Sequence, residues 1–269
     1  MGQRIGIIAG SGEFPSLVLH EAQKSGYFSV VAGIKGEADA RIQDKADEFE
    51  WIDVKDVLKL ISYFKKNGIN EAIFAGKIDP RVIYDKEKLE NSSVWLLAQA
   101  IDKRPASIIK AVIDFMAQEG IEVKDPSAFI SSCFCQEGVL TETQPSPDIK
   151  KDIVFGWEIA KAIADLDIGQ TVIIKNQAIV ALEGMEGTDE AIERGGRLAG
   201  EGTVVVKVSR SSQDARIDLP AVGLSTVRSL VKAKSQALCF EAGEMPFFQK
   251  DEAISLANTN KISIVVIKK

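Results

Sequence analysis

The chain is poor in the residues from which many enzyme and metal sites are built. It has one histidine, His20, and three cysteines, Cys133, Cys135 and Cys239, in 269 residues. A zinc site of the His and Cys type is hard to assemble from that set. A Ser-His-Asp triad would depend on His20 alone, and His20 falls within an amphipathic helix pattern. Three scattered cysteines argue against a disulfide framework and predict a reducing compartment, the cytoplasm. Cys133 and Cys135 read as two small apolar residues on one face of a strand. No run approaches the roughly 18 apolar residues of a membrane span. The sequence passes from Met1 through Arg4 straight into a strand pattern, which predicts no leader peptide. Basic excess is missing too: 33 Lys and Arg stand against 39 Asp and Glu, a net charge of −6. Bulk electrostatics therefore disfavour nucleic acid as a partner. Any chemistry falls to carboxylates, a hard metal ion or backbone amides.

What is present is ordinary for a folded α/β protein: 45% hydrophobic and 27% charged residues. "RIGIIAG", "FSVVAGI", "FEWIDV" and "EAIFAGKI" read as strands. Between them, "FPSLVLHEAQKSG" and "VKDVLKLISYFKKNG" carry helical periodicity and end in glycine. Strand and helix in alternation predict a parallel, Rossmann-like sheet with right-handed crossovers. A helical stretch follows from about Ser93 to Glu119, interrupted near Pro105. "TETQPSPDIKK" reads as an interdomain connection. The expected division is an N-terminal domain over 1–140 and a distinct C-terminal α/β domain over 141–269. In the latter, a hairpin turns at Lys175 to Gln177, and "TDEAIERGGRLAG" and "STVRSLVKAK" are helices around the strand "GTVVVKVSR".

Four stretches suit chemistry. In "GIIAGSGEFP", Gly10, Ser11 and Gly12 link a strand to a helix, where backbone can approach a phosphate. The dinucleotide fingerprint is only partial, because Pro15 stands where a third glycine belongs. In "IFAGKIDPR", Gly76 and Lys77 end a strand at the same expected sheet edge, so Lys77 would face an anion. In "ALEGMEGTDEAIERGG", Glu183, Gly187, Thr188 and Asp189 lie in a glycine-rich turn before a helix that Thr188 or Asp189 would cap. In "QDARIDLPAVGLSTV", Asp214, Arg216 and Asp218 recur at spacing two. In an extended segment they would share one side. Two carboxylates there suit Mg²⁺, which takes one or two carboxylates plus substrate phosphate oxygens, and Arg216 suits a carboxylate or a phosphate.

The run "FGWEIAKAIADLDIGQTVIIKNQAIVALEGMEGTDEAIERGG", then "QDARIDLPAVGLSTV" and "EAG" at Glu241 to Gly243, resembles the LpxI-type UDP-2,3-diacylglucosamine pyrophosphatases. The opening "GIIAGSGEFPSLV" is similar to that family's start. The chain departs from the family pattern at Pro80-Arg81, where an arginine directly before the proline is expected. The resemblance implies hydrolysis of UDP-2,3-diacylglucosamine to UMP and 2,3-diacylglucosamine 1-phosphate (lipid X) in lipid A synthesis. It also implies dependence on Mg²⁺ or another divalent metal, a homodimer, and an essential aspartate falling on Asp218. On this reading Asp218 holds the metal or the attacking water, with Asp214 in support. Arg216 and the turn from Gly184 to Thr188 hold phosphate oxygens. A lipid substrate further implies contact at the periphery of the inner membrane. The apolar residues between Ser93 and Glu119 (Val94, Trp95, Leu96 and Leu97, then Ile108, Ile109, Val112, Ile113, Phe115 and Met116) then read as core and dimer interface, or as an acyl-chain groove. The alternatives are a non-catalytic nucleotide-sugar or lipid-binding module and, disfavoured by Pro15, a nicotinamide-dependent oxidoreductase.

Overall fold

The computed structural model describes residues 2–78 and 105–268. Asp79, Pro80, Arg81 and the stretch from Val94 to Leu97 lie outside the described residues. Two compact units divide the chain: residues 1–130 with 214–218, and residues 131–213 with 219–269. The first break therefore falls after Ile130, not at residue 140, and the Asp214–Asp218 segment belongs to the first unit. The stretch "TETQPSPDIKK" is not a linker between units. Its Thr141 hydroxyl accepts from the Ile264 amide at 2.9 Å, and its Thr143 carbonyl accepts from the Ser263 hydroxyl at 2.9 Å. These bonds hold it to the second unit.

The first unit has a parallel sheet of β1 (Arg4–Ala9), β2 (Phe28–Ile34), β3 (Glu48–Ile52), β4 (Glu71–Ala75) and β5 (Glu122–Val123). Their spatial order is β3-β2-β1-β4-β5. Helix α1 (Phe14–Lys24) starts with a proline in its first turn, where no amide is needed, and packs against β1 and β2. Helix α2 (Val57–Lys66) is capped by the Asp56 carboxylate, which accepts from the Lys59 amide. Together with α3 (Pro105–Gln118) it covers the sheet face presented by Ile8, Val30, Ala32 and Ile34. Buried on both faces, β1 and β2 read as almost unbroken apolar runs, as parallel strands do.

In the second unit the main sheet runs β6-β13-β11-β9-β7-β8. Its strands are β6 (Gly138–Val139), β7 (Thr171–Lys175), β8 (Ala178–Leu182), β9 (Val204–Lys207), β11 (Ala237–Glu241) and β13 (Ser263–Ile267), while β10 (Val222–Gly223) and β12 (Phe247–Phe248) form a separate two-stranded sheet. β9, β11 and β13 are parallel; β6, β7 and β8 pair antiparallel to their neighbours. Alternation decides which helix covers which face. Val204, Val206 and Cys239 pack with Trp157 and Ala160 of α4 (Pro147–Asp165). Val205, Leu238 and Phe240 pack on the other face, with residues of α5 (Thr188–Ala199), α6 (Leu224–Lys232) and α7 (Lys250–Thr259). The β7–β8 hairpin turns through Asn176 and Gln177, both at positive φ. The buried Asp152 carboxylate accepts from both of their amides, at 3.0 and 2.6 Å, and so fixes the turn.

Two local expectations change. Cys133 ends a short 3-10 turn (Ser131–Cys133), so it and the buried Cys135 do not share a strand face. Strand β11 is not apparent in the sequence pattern, because "ALCFE" is short and lies directly after a helix. It is nevertheless a central strand of its sheet.

Candidate functional site

Strand order 3-2-1-4-5 makes β1 and β4 neighbours, and open α/β sheets bind ligands at the carboxyl ends of strands where the order reverses. Gly10, Ser11 and Gly12 follow β1, while Gly76 and Lys77 follow β4, and the fold brings the two loops together. The Gly10 amide donates to the Ala75 carbonyl at 2.8 Å. Ser11 and Lys77 form a two-way bridge, with N–H to O distances of 2.7 and 3.0 Å, and the Ser11 hydroxyl donates to the Lys77 carbonyl at 2.9 Å. The amides of Gly10 and Ser11 are thus committed to the neighbouring loop, and an anion would meet backbone no earlier than Gly12. Close approach explains the glycines. A Cβ on Gly10 would lie 2.4 Å from the Lys77 carbonyl oxygen, and one on Gly76, which has φ +89°, would lie 2.6 Å from the Ser11 oxygen. Because backbone cannot swing aside, Gly10→Ala is expected to destabilise the first unit by roughly 1–3 kcal/mol. A lowered urea midpoint at unchanged slope would register it; an unchanged midpoint would refute the close packing.

Asp214, Arg216 and Asp218 lie in a turn, not an extended segment. The Ile217 and Asp218 amides both donate to the Asp214 carbonyl, at 2.9 and 3.2 Å. Spacing two therefore does not place the three on one side. Asp214 folds back on Arg216: Oδ1 accepts from the Arg216 amide at 3.1 Å and from Nε at 2.9 Å, and Oδ2 accepts from Nη2 at 2.7 Å. The Arg216 hydrogen bonds hold the Asp214 carboxyl below its ordinary range, and the same pair raises Arg216 further. Ile217 packs against the first unit's core and Asp218 is exposed. Asp214 is thus built to orient Arg216 rather than to give its oxygens to a cation. Among the described residues there is no group of three or more His, Cys, Asp or Glu side chains that could hold a metal ion. A Mg²⁺ ion needs less than that, since substrate phosphates and waters complete its shell, and an exposed Asp218 suits such an ion.

In the second unit, polar side chains gather where the parallel strands end. Thr171 opens β7 and pairs in register with Lys207 at the end of β9. Glu183 follows β8, and its amide donates to the Thr171 carbonyl at 2.9 Å. Gly187, at φ +85°, turns the chain into α5. Thr188 is the first residue of that helix and does not cap it; its hydroxyl reaches back to Glu183 Oε1 at 2.9 Å. Glu183 Oε2 accepts from the Gln170 amide at 3.2 Å. Asp189 is exposed in the first helical turn, where the helix dipole favours a negative charge. The turn between them is held by Glu186, which accepts from the Gly184 amide at 3.1 Å and from Arg194 at 2.5 Å.

Several polar residues at this edge escaped sequence reasoning. Lys207 is buried, and its Nζ donates to Thr188 Oγ1 at 3.0 Å and to the Ala221 carbonyl at 2.8 Å. Glu241 is buried at the end of β11, where both oxygens accept from Lys161 Nζ at 2.8 Å. Ser209 donates to Glu241 Oε2 through its amide at 3.0 Å and its hydroxyl at 2.7 Å. Burial by itself would raise the Glu241 carboxyl; the Lys161 ammonium and the Ser209 donors outweigh it and leave it lowered. The signal in the sequence was slight: a lysine closing the apolar run "TVVVK" and a glutamate closing "ALCFE". Charged residues are seldom buried unless paired.

Comparison with known proteins places both halves of the chain. The model of the LpxI N-terminal domain matches residues 4–133, and that of the LpxI C-terminal domain matches residues 136–265. The UDP-2,3-diacylglucosamine pyrophosphatase LpxI of Caulobacter vibrioides is 24% identical over 95% of this chain and 94% of its own length. Likeness to solved structures is slight. UDP-glucose-4-epimerase from Stenotrophomonas maltophila gives a TM-score of 0.36 at 13% identity, over 99% of this chain and 86% of that one. The biotin carboxylase domain of Hydrogenobacter thermophilus 2-oxoglutarate carboxylase gives 0.30 at 14% identity, over 74% of this chain, which spans only 41% of that one. With both family domains matched in order along nearly its whole length, the chain belongs to the LpxI family.

Proposed function

We propose that this protein hydrolyses the pyrophosphate bond of UDP-2,3-diacylglucosamine, giving UMP and 2,3-diacylglucosamine 1-phosphate, in the lipid A pathway. One observation carries the reading: a relative named for that pyrophosphatase activity aligns with 95% of the chain, across both family domains. The reaction needs little from the side chains the sequence lacks. Water forms a new P–O bond as the bridging P–O bond breaks, and the water's proton leaves through a base. Catalysis then rests on placing phosphoryl oxygens against positive charge and on orienting that water. Asp218 is assigned the water, as acceptor of its proton, or a carboxylate bond to a divalent cation. Arg216, with Nε and Nη2 fixed on Asp214, turns its other edge to a phosphate oxygen. The turn from Gly184 to Thr188 and the Gly12 end of the first loop serve the substrate's remaining phosphate and nucleotide oxygens, with Lys77 as a further cation. A bound Mg²⁺ would add charge neutralisation on the phosphoryl oxygens. We read the protein as a cytoplasmic homodimer working at the periphery of the inner membrane; no described helix is long and apolar enough to cross it.

The test is to incubate purified protein with UDP-2,3-diacylglucosamine, once with Mg²⁺ and once with EDTA, and to measure UMP. UMP release that stops in EDTA is expected. Equal release in both arms would remove the metal from the reading. Tight substrate binding without UMP would replace the enzyme with a binding module.

A further inference from the structure

A lysine at the end of an apolar strand is expensive to bury, and proteins retain one where its ammonium is needed. Lys207 is 8% exposed. The preceding residues Val204, Val205 and Val206 are fully covered, so the strand needs no lysine to fill its core. The ammonium joins two separate stretches of chain in the second unit. One is Thr188, at the start of α5, and the other is the carbonyl of Ala221, three residues beyond Asp218. At Thr188 the hydroxyl meets an ammonium and a carboxylate, with the Thr171 hydroxyl beside it at 3.5 Å. Lys207 Nζ donates to Oγ1 at 3.0 Å, so the Thr188 hydroxyl must donate onward, and Glu183 Oε1 accepts it at 2.9 Å. Glu183 is fixed in turn, because its other oxygen accepts from the Gln170 amide at 3.2 Å. The result is a polarised relay from ammonium to hydroxyl to carboxylate.

We propose that Lys207 is a positioning residue for the reaction: it sets the Thr188–Glu183 turn and the Ala221 backbone of the second unit in one register, without touching the substrate. This rests on the pyrophosphatase reading above, which gives the turn to phosphate oxygens. A lysine suits the role because its three donors radiate from one point and can bind two acceptors on different elements at once. Methionine has a stem of similar size and no donor, so Lys207→Met removes the relay while keeping most of the packing.

The experiment measures kcat and KM for UMP release, with the melting temperature, in wild-type, Lys207→Met, Lys207→Gln, Thr188→Val and the Lys207→Met/Thr188→Val double variant. Misplacing reacting groups by about 1 Å costs on the order of a hundredfold. Lys207→Met should therefore lose about tenfold to a hundredfold in kcat, with KM within about threefold. Lys207→Gln, which keeps a donor, should recover part of the loss. The double variant should be no slower than the slower single variant, because both break one relay. A purely architectural lysine would lower the melting temperature and leave kcat per folded chain unchanged. That outcome overturns the proposal, as do additive losses in the double variant, or Lys207→Met and Lys207→Gln chains that both fail to fold. If the wild-type protein releases no UMP, the pyrophosphatase reading falls and this proposal with it; if the wild-type is active and Lys207→Met is too, only this proposal falls.

Discussion

Asp218→Ala is expected to cut UMP release by at least about a hundredfold while leaving the fold intact, because a positioned proton acceptor contributes roughly 10² to 10⁴ in rate. The two halves of this expectation have separate grounds. Asp218 is exposed at the end of its turn, and exposed substitutions away from packed or capped positions usually change stability by no more than about 0.5 kcal/mol. The turn itself is held by backbone bonds to the Asp214 carbonyl and by Ile217 against the core, none of which involves the Asp218 carboxylate. Activity should therefore vanish with no matching fall in melting temperature. Asp218→Asn, which keeps shape and loses charge, should be nearly as slow. Turnover within a few-fold of wild-type in either variant would take Asp218 out of the reaction.

Glu241→Ala should give the largest loss of stability, and for the opposite reason. The glutamate is buried, and its removal leaves the Lys161 ammonium facing a cavity where two oxygens stood at 2.8 Å. Breaking a buried ion pair from one side costs about 3–5 kcal/mol. Lys161 keeps a quarter of its side chain exposed and regains some hydration, so about 3 kcal/mol is the better expectation. The second unit should then melt on the order of 10 °C lower. The pH dependence has a definite sign. The folded Glu241 carboxyl is lowered, so its contribution is present above the ordinary glutamate range and disappears as pH falls through the lowered folded value. Wild-type protein should lose stability on that acid limb, and Glu241→Gln should flatten it. A melting temperature in Glu241→Ala equal to wild-type would show that the pair contributes nothing.

Much of the fold was legible in the sequence because backbone periodicity is local. "RIGIIAG" and "FSVVAGI" are apolar at every position but Arg4 and Ser29, which a strand covered on both faces allows. "VKDVLKLISYFKKNG" carries its apolar stripe and its stop, so α2 was readable to within about three residues at its start and two at its end. The loops at Gly10 and Gly76 were recognisable for the same reason. A glycine after a strand signals close approach, although only the fold showed that what approaches each loop is the other one.

The site was less legible, since a side chain's partner is set by tertiary neighbours. Spacing two among Asp214, Arg216 and Asp218 reads as one face of a strand, yet local hydrogen bonding made a turn and gave Asp214 to Arg216. Short polar side chains compete with strand geometry by bonding backbone two residues on, and no periodicity reports when they succeed. Thr188 reads as a cap but bonds backward to Glu183, because Gly187 turns the chain before the helix begins. Lys161 and Glu241 fall within stretches that carry the family resemblance, yet nothing in the sequence pairs them with each other, and Lys207 lies outside those stretches. By itself the sequence determined the α/β class and the family. The tertiary structure alone decided which charges are buried and paired. A buried charge is tolerated only where the fold supplies its counter-charge and donors, and those come from strands and helices that meet only when the chain has folded.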